Sequence, residues 1–402
     1  MSRIIACLAF TLTLTNLAAT QSLDLTYKNT GISIGDSPKV NGIRLNFRDH
    51  NMVRVNGLNA TIWKPRDNRK MRGLVNGVLL GLPVATVGEV RGIALGLGIG
   101  TQYSISGIDI GILGSGSSGN VNGIALGGLG LGAGANLNGI AIAGLGLGAG
   151  GDMTGVMISG LGLGSGRDIK GIAIGGFGLG ADNDFIGIGA ALFGLGSGRD
   201  IKGIAVGGFG LGAGNDFVGI GAALFGLGSG RDITGITAAG FGLGAGRDLR
   251  GLGLSFVGLG AGRNIDGIMF AGIGMGAGER LRGIALAGIG LGAGKEVRGI
   301  ALAGVGVGSV KITGLVASLA AGAKEFKGLA LTPAYFEIVR DGEFRGVSVS
   351  ALNQIRGVNY GLSIGIVNIA NELKGFQLGL INIAHSNPKG LKVLPVFNAN
   401  FN

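Results

Sequence analysis

Seven aspartates that recur every sixteen residues are the side chains whose type and spacing could do chemistry. They are Asp152, Asp168, Asp184, Asp200, Asp216, Asp232 and Asp248. Carboxylates stacked at strand spacing repel one another, so a cation has to neutralise them. One candidate is Ca²⁺, which prefers hard oxygen ligands. The other is the set of Lys and Arg side chains that the chain itself supplies.

The neighbouring residues favour the chain's own cations. Arginine precedes four of the aspartates and lysine follows two of them by two residues: Arg167, Arg199, Arg231, Arg247, Lys170 and Lys202. The calcium alternative rests on GAGNDFVG (212–219), which resembles part of a nine-residue calcium-binding β-roll repeat. The period here is sixteen residues, the Gly-Gly opening is missing, and the row continues as Asn264, Arg280 and Glu296. We therefore expect a salt-bridge ladder without metal or cofactor, with calcium at the seven aspartates as the alternative.

Residues for other kinds of catalysis are sparse. His50 and His385 are the only histidines, and neither has a partner at a metal-binding spacing. Strings of the type Gly-x-Gly-x-x-Gly are by-products of the repeat, because none of them opens a helix after a strand. The sequence contains no Gly-Lys-Ser/Thr phosphate loop. We expect that the protein is not an enzyme.

The N-terminal segment MSRIIACLAFTLTLTNLAATQS has the features of an export signal, because one arginine precedes an apolar run that ends in small residues. The run is short for a membrane span. We expect a signal peptide over residues 1–20, cleaved after Ala19 or Thr20, and a retained anchor is the alternative. The only cysteine, Cys7, lies inside this segment, so lipidation there is a further alternative and the mature chain has no thiol.

The composition excludes several classes of protein. Of 402 residues, 90 are glycine, yet 46% are hydrophobic and the mean hydropathy is +0.52, which argues against a flexible linker and against disorder. Six prolines are too few for collagen. The net charge of +11 is concentrated partly in WKPRDNRKMR (63–72). No aromatic residues interleave with that basic run, so we expect no nucleic-acid partner.

A tandem repeat explains the glycine. Glycine recurs every sixteen residues from Gly107 to Gly299, and we number each copy from this glycine as position 1. Alternation with a period of two residues is typical of strands. Short strands at a fixed period predict an all-β fold, a β-solenoid with turns of about sixteen residues. An outer-membrane β-barrel is the alternative, although its strands should alternate apolar and polar residues.

We expect four segments: the signal peptide (1–20), an N-terminal β cap with the basic segment (21–91), the regular glycine-rich solenoid (92–313), and irregular repeats with a C-terminal cap (314–402). Large residues at positions 2, 4, 7 and 9 predict the core, with Ile172, Ile174, Phe177 and Leu179 as one set. Between positions 4 and 7 the pattern indicates a phase slip at a glycine corner. Where position 4 is Ala190 or Ala222, position 6 is leucine, which predicts that these two positions fill one volume.

The flanking segments carry a family resemblance. VNGIRLNF (40–47), VNGLN (55–59), GLSIGIVNIANELKGFQLGLINIA (361–384) and the ending VLPVFNANFN (393–402) resemble the bacterial surface-repeat proteins first described in Leptospira. The central repeats depart from that pattern by replacing its asparagine with glycine. The resemblance implies an exported protein of the cell surface or outer membrane, with a periplasmic or extracellular location as the alternative, and it supplies no catalytic residue.

These observations predict a non-enzymatic structural or interaction protein. Glycines at positions 8 and 10 would leave bare backbone, so flat Gly/Ala faces are expected to meet a partner, another copy or a component of the cell envelope. A membrane-embedded β-protein, either a barrel or a solenoid lying in lipid, is the alternative that the positive hydropathy favours. An ice-binding surface is a third alternative, although its usual rows of threonine are absent from the strands.

Overall fold

The computed structural model describes residues 22–65 and 72–401. The signal-peptide prediction, Cys7 and most of the basic segment therefore lie outside the described residues. The chain divides into two compact units, the first ending at Ser197 and the second beginning at Gly198. About 77% of the described residues are in strands, and none of them forms a helix. Within those ranges, no segment forms an apolar helix long enough to cross a membrane.

The described residues of the first unit form fifteen strands: β1 Ser22–Tyr27, β2 Thr30–Gly35, β3 Lys39–Arg48, β4 Arg54–Trp63, β5 Leu74–Ser117, β6 Asn120–Gly127, β7 Gly130–Ala133, β8 Leu137–Ala143, β9 Gly146–Ala149, β10 Met153–Ser159, β11 Gly162–Ser165, β12 Ile169–Gly175, β13 Gly178–Ala181, β14 Phe185–Ala191 and β15 Gly194–Ser197.

The second unit contains eighteen strands: β16 Ile201–Gly207, β17 Gly210–Ala213, β18 Phe217–Ala223, β19 Gly226–Ser229, β20 Ile233–Ala239, β21 Gly242–Ala245, β22 Asp248–Ser255, β23 Gly258–Ala261, β24 Asn264–Ala271, β25 Gly274–Ala277, β26 Arg280–Ala287, β27 Gly290–Ala303, β28 Gly306–Ala317, β29 Ala320–Leu331, β30 Tyr335–Asn359, β31 Leu362–Leu373, β32 Phe376–Ala384 and β33 Val393–Ala399.

Each regular turn contains one long and one short strand. The long strand β12 pairs in parallel with β14, so that Ile169 lies beside Phe185, and the short strand β13 pairs in parallel with β15. The second unit repeats the arrangement, with β20 on β22 and β21 on β23. The predicted β-solenoid is confirmed, with about 21 turns spaced by about sixteen residues. Antiparallel pairs occur near both ends of the chain, β1 with β2 and β32 with β33.

The core is not formed by the residues that sequence reasoning selected. Ile172, Ile174 and Phe177 are 40%, 43% and 51% exposed, and of the four predicted core residues only Leu179, at 4%, is buried. The phase slip between positions 4 and 7 was also wrong. Because the period of sixteen is even, positions 3, 5, 9, 11 and 15 face the inner side in successive turns, whereas positions 7 and 13 lie at corners between strands, so position 7 is exposed.

The inner side carries mostly small residues. Positions 3, 5 and 11 are largely alanine, glycine or serine, and the larger buried residues are those at positions 9 and 15. The predicted exchange of volume between positions 4 and 6 was wrong, since Leu192 and Leu224 are 64% and 69% exposed. The exchange instead joins positions 15 and 3. A Cβ on Gly189 would lie 2.5 Å from the ring of Phe185, so the larger residue requires the glycine.

The glycine at position 1 has a positive φ and faces the backbone of the preceding turn. Gly171 has φ +121°, and a Cβ there would lie 2.1 Å from the carbonyl oxygen of Gly155. Gly235 in the second unit has φ +133° and the same approach to the carbonyl of Gly219, at 2.0 Å. The repeat therefore needs glycine at this position for both conformation and space.

Polar clusters occupy the interior near both ends of the chain. In the first unit Arg44 is fully buried and pairs with Asp36 at 2.7 Å and with Asp49. In the second unit the amides of Asn353, Asn368 and Asn382 form a buried ladder, with Nδ2–Oδ1 distances of 2.8 Å at both steps. The Nδ2 groups of Asn353 and Asn368 each donate to the asparagine of the next turn, and such specific pairing fixes the stacking register.

Candidate functional site

The seven aspartates form a charged edge in each unit. The backbone N–H groups of five of them donate to the aspartate carboxylate of the preceding turn, as Asp168 N does to Asp152 Oδ1 at 3.3 Å and Asp232 N does to Asp216 Oδ1 at 3.2 Å. The cations pair with the same row, as Lys170 does with Asp168 at 2.9 Å. In the second unit Arg247 lies 2.9 Å from Asp232. The chain thus supplies the neutralising charge that the stacked carboxylates require.

These ion pairs shift the pKa values of their members. The hydrogen bond from Lys202, at 2.9 Å, holds the pKa of Asp200 below its usual value. The hydrogen bond to Asp168 raises the pKa of Lys170. Among residues 22–65 and 72–401, no group of three or more His, Cys, Asp or Glu side chains is arranged to hold a metal ion. Exposed ion pairs contribute little individually, so the pairs along this edge add little to the free energy of unfolding.

The outer surface carries continuous rows of large apolar side chains. Position 2 of the long strands is exposed in turn after turn. In the first unit this row contains Ile108, Ile124, Ile140, Ile172 and Ile188, and in the second it contains Ile204, Ile220, Ile236, Leu252, Ile268, Ile284 and Ile300. Exposed apolar patches of this extent mark interaction sites or membrane contacts in soluble proteins.

A second exposed row follows position 7. Leucine gives way to phenylalanine along the chain, and the rings stack. Phe177 and Phe193 lie 4.9 Å apart at 7° in the first unit. In the second unit Phe225 stacks on Phe209 at 5.0 Å and on Phe241 at 5.1 Å. We call the rows at positions 2, 4 and 7 of each unit its apolar face.

Cations border the apolar face of the second unit. Position 16, one residue before the glycine at position 1, also points outward, and Arg282 and Arg298 occupy it in register. Lys327 and Arg345 continue the row in register with each other. Arg282, Arg298 and Lys327 have no carboxylate within ion-pair distance among the described residues. Like charges in adjacent strands repel unless an anion lies between them.

The short strands present bare backbone. Glycines at positions 8 and 10 point outward, and a Cβ on Gly180, Gly242 or Gly258 would meet no atom within 4 Å. This surface, which we call the glycine face, agrees with the predicted flat glycine surface. The alanines of that prediction are not part of it, because Ala181 and Ala245 point into the core.

One buried titratable group breaks the repeat in the first unit. Asp109 occupies position 3, where the next turns have Ala125 and Ala141, and it is 1% exposed. Its Oδ2 accepts a hydrogen bond from Ser115, and its Oδ1 has no hydrogen-bond partner among the described residues. Burial raises the pKa of Asp109 to about 6, although the Ser115 hydrogen bond acts in the opposite direction. Sequence reasoning missed this core carboxyl, and the one signal that could have found it is a charged residue at a position where the next copies have alanine.

Stability is therefore expected to fall as pH rises from about 4 to about 6. The unfolded chain ionises Asp109 near pH 3.8 and the folded chain near 6, so folding is favoured at low pH and loses about 3 kcal/mol across this window. Asp109→Asn should remove most of that slope in thermal melts recorded between pH 4.5 and 7. Parallel profiles for the variant and the parent would contradict the assignment.

The remaining chemistry-bearing residues stay apart. His50 lies on the surface of the first unit, and His385 lies on that of the second. In the part of the chain that the structure describes, the largest fully buried side chain is that of Arg44, which sequence reasoning did not single out, and the aspartates around it already accept its hydrogen bonds. Comparison with protein-family models, curated proteins and solved structures finds no match for this chain.

Proposed function

We propose that the protein is an exported, non-enzymatic scaffold of the cell envelope that lies on a lipid surface through its apolar faces. The observation that supports this proposal is the outward placement of Ile and Phe rows over successive turns. Exposure of apolar side chains to water is unfavourable, and their burial contributes roughly 25 cal/mol of favourable free energy per Å² of apolar surface. Repetition along the stack multiplies that gain.

The charged border supports lipid over other apolar partners. Arg282, Arg298 and Lys327 have long stems that can lie along an apolar surface while their charges contact lipid phosphates. Each basic residue near an anionic leaflet contributes about 1 kcal/mol to binding. Rows of apolar side chains flanked by unpaired cations are typical of proteins that lie in the membrane interface.

Flotation with lipid vesicles tests the proposal. The full chain should float with vesicles of phosphatidylcholine and phosphatidylglycerol, and more weakly with phosphatidylcholine alone. Replacing Ile220, Ile236 and Ile268 by threonine keeps β-branched residues in the strands and should weaken vesicle binding at least tenfold, which corresponds to about 1.4 kcal/mol. Protein that stays in the aqueous fraction, or a triple variant that binds like the parent, would overturn the proposal.

Self-association through the glycine face is a second candidate function. It rests on the open space above Gly242 and Gly258, which permits close approach by another sheet. Threonine at both positions should abolish dimers in sedimentation experiments and leave vesicle binding intact. A parent protein that sediments as a monodisperse monomer at high concentration would contradict this second candidate. The same double variant serves as the matched control for the isoleucine triple variant.

A further inference from the structure

An apolar trench crosses successive turns of the second unit. One part, about 650 Å³ in volume, is lined by Leu254, Phe270, Leu286 and Leu302 together with the backbone at positions 5 and 6. A second part of about 830 Å³ continues through Leu331, Val349 and Ile364. Ala303, Gly304 and Ala317 line both parts, which makes them one trench. Both volumes are within the range of small-molecule sites.

Glycine forms the floor of the trench. At position 6 the second unit has Leu224 and Phe256 in earlier turns, and these side chains project outward. From Gly272 onward position 6 is glycine for three turns, and a Cβ on Gly272, Gly288 or Gly304 would lie within 2.1 Å of a carbonyl oxygen. The floor therefore stays bare, and the side chains at position 4 form a wall beside it.

The backbone N–H groups of the floor already donate hydrogen bonds within the protein. Gly272 N donates to Ser255 O at 2.9 Å, Gly288 N to Ala271 O at 3.0 Å, and Gly304 N to Ala287 O at 3.3 Å. Along this glycine floor a peptide would find no free backbone N–H for its carbonyl groups, and each unpaired group costs free energy. An aliphatic chain has no such groups, so the trench favours it over a protein segment.

The dimensions agree with an acyl chain. Eight turns, from the turn of Phe256 to that of Ile366, line the trench. Seven steps at about 4.8 Å give roughly 34 Å. One leaflet of a bilayer has a hydrocarbon thickness of roughly 15 Å. The trench is thus long enough for one acyl chain lying along the stack, and for two placed end to end.

We propose that this trench binds a lipid acyl chain parallel to the stacking direction of the turns. The proposal rests on the proposed function in one respect, namely that the apolar face that contains the trench meets lipid. The acyl-chain site goes beyond the proposed function because one lipid chain leaves the ordered packing of the bilayer and occupies a defined site in the protein.

Leu302 and Ile300 provide a matched pair of variants. Both side chains point outward from β27, two residues apart, and Leu302 lines the trench whereas Ile300 does not. Leu302→Asp places a charge in the wall, and Ile300→Asp places the same charge beside it. Binding of dansyl-undecanoic acid, at concentrations below micelle formation, should weaken at least tenfold in Leu302→Asp and less than twofold in Ile300→Asp.

Competition identifies the source of the chain. Palmitate and lysophosphatidylcholine should both displace the probe if the alkyl chain alone is recognised, and displacement by lysophosphatidylcholine alone would assign the site to phospholipid. Leu286→Asp with its control Ile284→Asp repeats the test if either first variant does not fold, as judged by circular dichroism.

Separate outcomes bear on the two proposals. Vesicle binding by the parent without probe binding, or equal losses in Leu302→Asp and Ile300→Asp, would overturn the acyl-chain site and leave the proposed function standing. Probe binding without vesicle binding would overturn the proposed function and leave the acyl-chain site standing. A dimer that Leu302→Asp abolishes, in a parent that does not bind the probe, would assign the trench to a second copy and overturn the lipid site.

Discussion

Alanine at Gly171 is expected to lower the free energy of unfolding by about 3 kcal/mol or more. The substitution forces an L-residue to adopt φ +121° and places its Cβ 2.1 Å from the carbonyl oxygen of Gly155. The atoms that this Cβ would meet belong to the backbone of Gly155 and cannot move aside as a flexible side chain could, so the turn has to separate from the preceding one. The midpoint of chemical denaturation, followed by far-ultraviolet circular dichroism, measures the loss.

Gly180 in the same turn is the matched control. A Cβ there would meet nothing within 4 Å, and its φ lies in the ordinary strand region. Gly180→Ala should leave stability unchanged or raise it by up to about 1 kcal/mol, because alanine restricts the unfolded chain. Equal losses at both positions would show that the close approach between turns does not hold the stack together.

Phe185→Ala is expected to cost about 3–5 kcal/mol, whereas Phe177→Ala should cost about 1 kcal/mol at most. Phe185 is fully buried, and its removal leaves a cavity that the rigid backbone cannot close. Phe177 is 51% exposed and loses chiefly its stacking on Phe193. Thermal and chemical unfolding of the two single variants compares them directly.

The neighbouring turn suggests a rescue. Ile169 and Ala173 occupy the positions that Phe185 and Gly189 occupy one turn later. Phe185→Ile combined with Gly189→Ala copies that pair, and it should recover most of the stability that Phe185→Ala loses. If Phe177→Ala proved the more damaging change, or if the pair of substitutions gave no recovery, the assignment of the inner side would be wrong.

The sequence predicted the architecture well because the architecture depends on period. Glycine at position 1 recurs from Gly107 to Gly299 without exception, and strand alternation within each copy excludes helix. The charged edge could also be anticipated, since a row of aspartates at the repeat distance must lie on one edge of a stacked sheet. Proximity in sequence identifies the partners of Lys170 and Lys202, whereas arginines such as Arg231 pair with the aspartate of the preceding turn.

The inner and outer sides could not be predicted from side-chain size. Ordinary reasoning places Ile172 and Phe177 inside and leaves alanine at the surface, since large apolar residues are usually buried. The solenoid is too narrow for that choice, as the contact between Phe185 and a Cβ on Gly189 illustrates. The outer surface then receives the large residues. The signal that could have revealed this is parity, because Leu179, Ala173 and Ile169 are separated by even numbers of residues.

The apolar face therefore came from the structure, and so did the trench. Neither Leu302 nor Gly304 differs in type from its neighbours along the repeat, so composition carries no trace of a site there. The position-6 glycines from Gly272 to Gly304 distinguish these turns from the turns of Leu224 and Phe256 in the same unit, and the first unit has its own run from Gly128 to Gly176. The run in the second unit becomes informative only in the structure, which places position 6 at a corner between two rows of outward-pointing side chains.

The even period has a consequence for how such a chain can change. Gain or loss of one whole copy shifts every later residue by sixteen and leaves each side chain on its original side. Insertion or deletion of a single residue within a strand would move every side chain up to the next corner to the opposite side of the sheet. The fifteen-residue copy that begins at Gly299 absorbs its missing residue at a corner, where the pairing register shifts between Ala293 and Glu296. Unequal recombination among the copies can therefore lengthen or shorten the exposed apolar rows one step at a time, so the area of the apolar face is set by copy number.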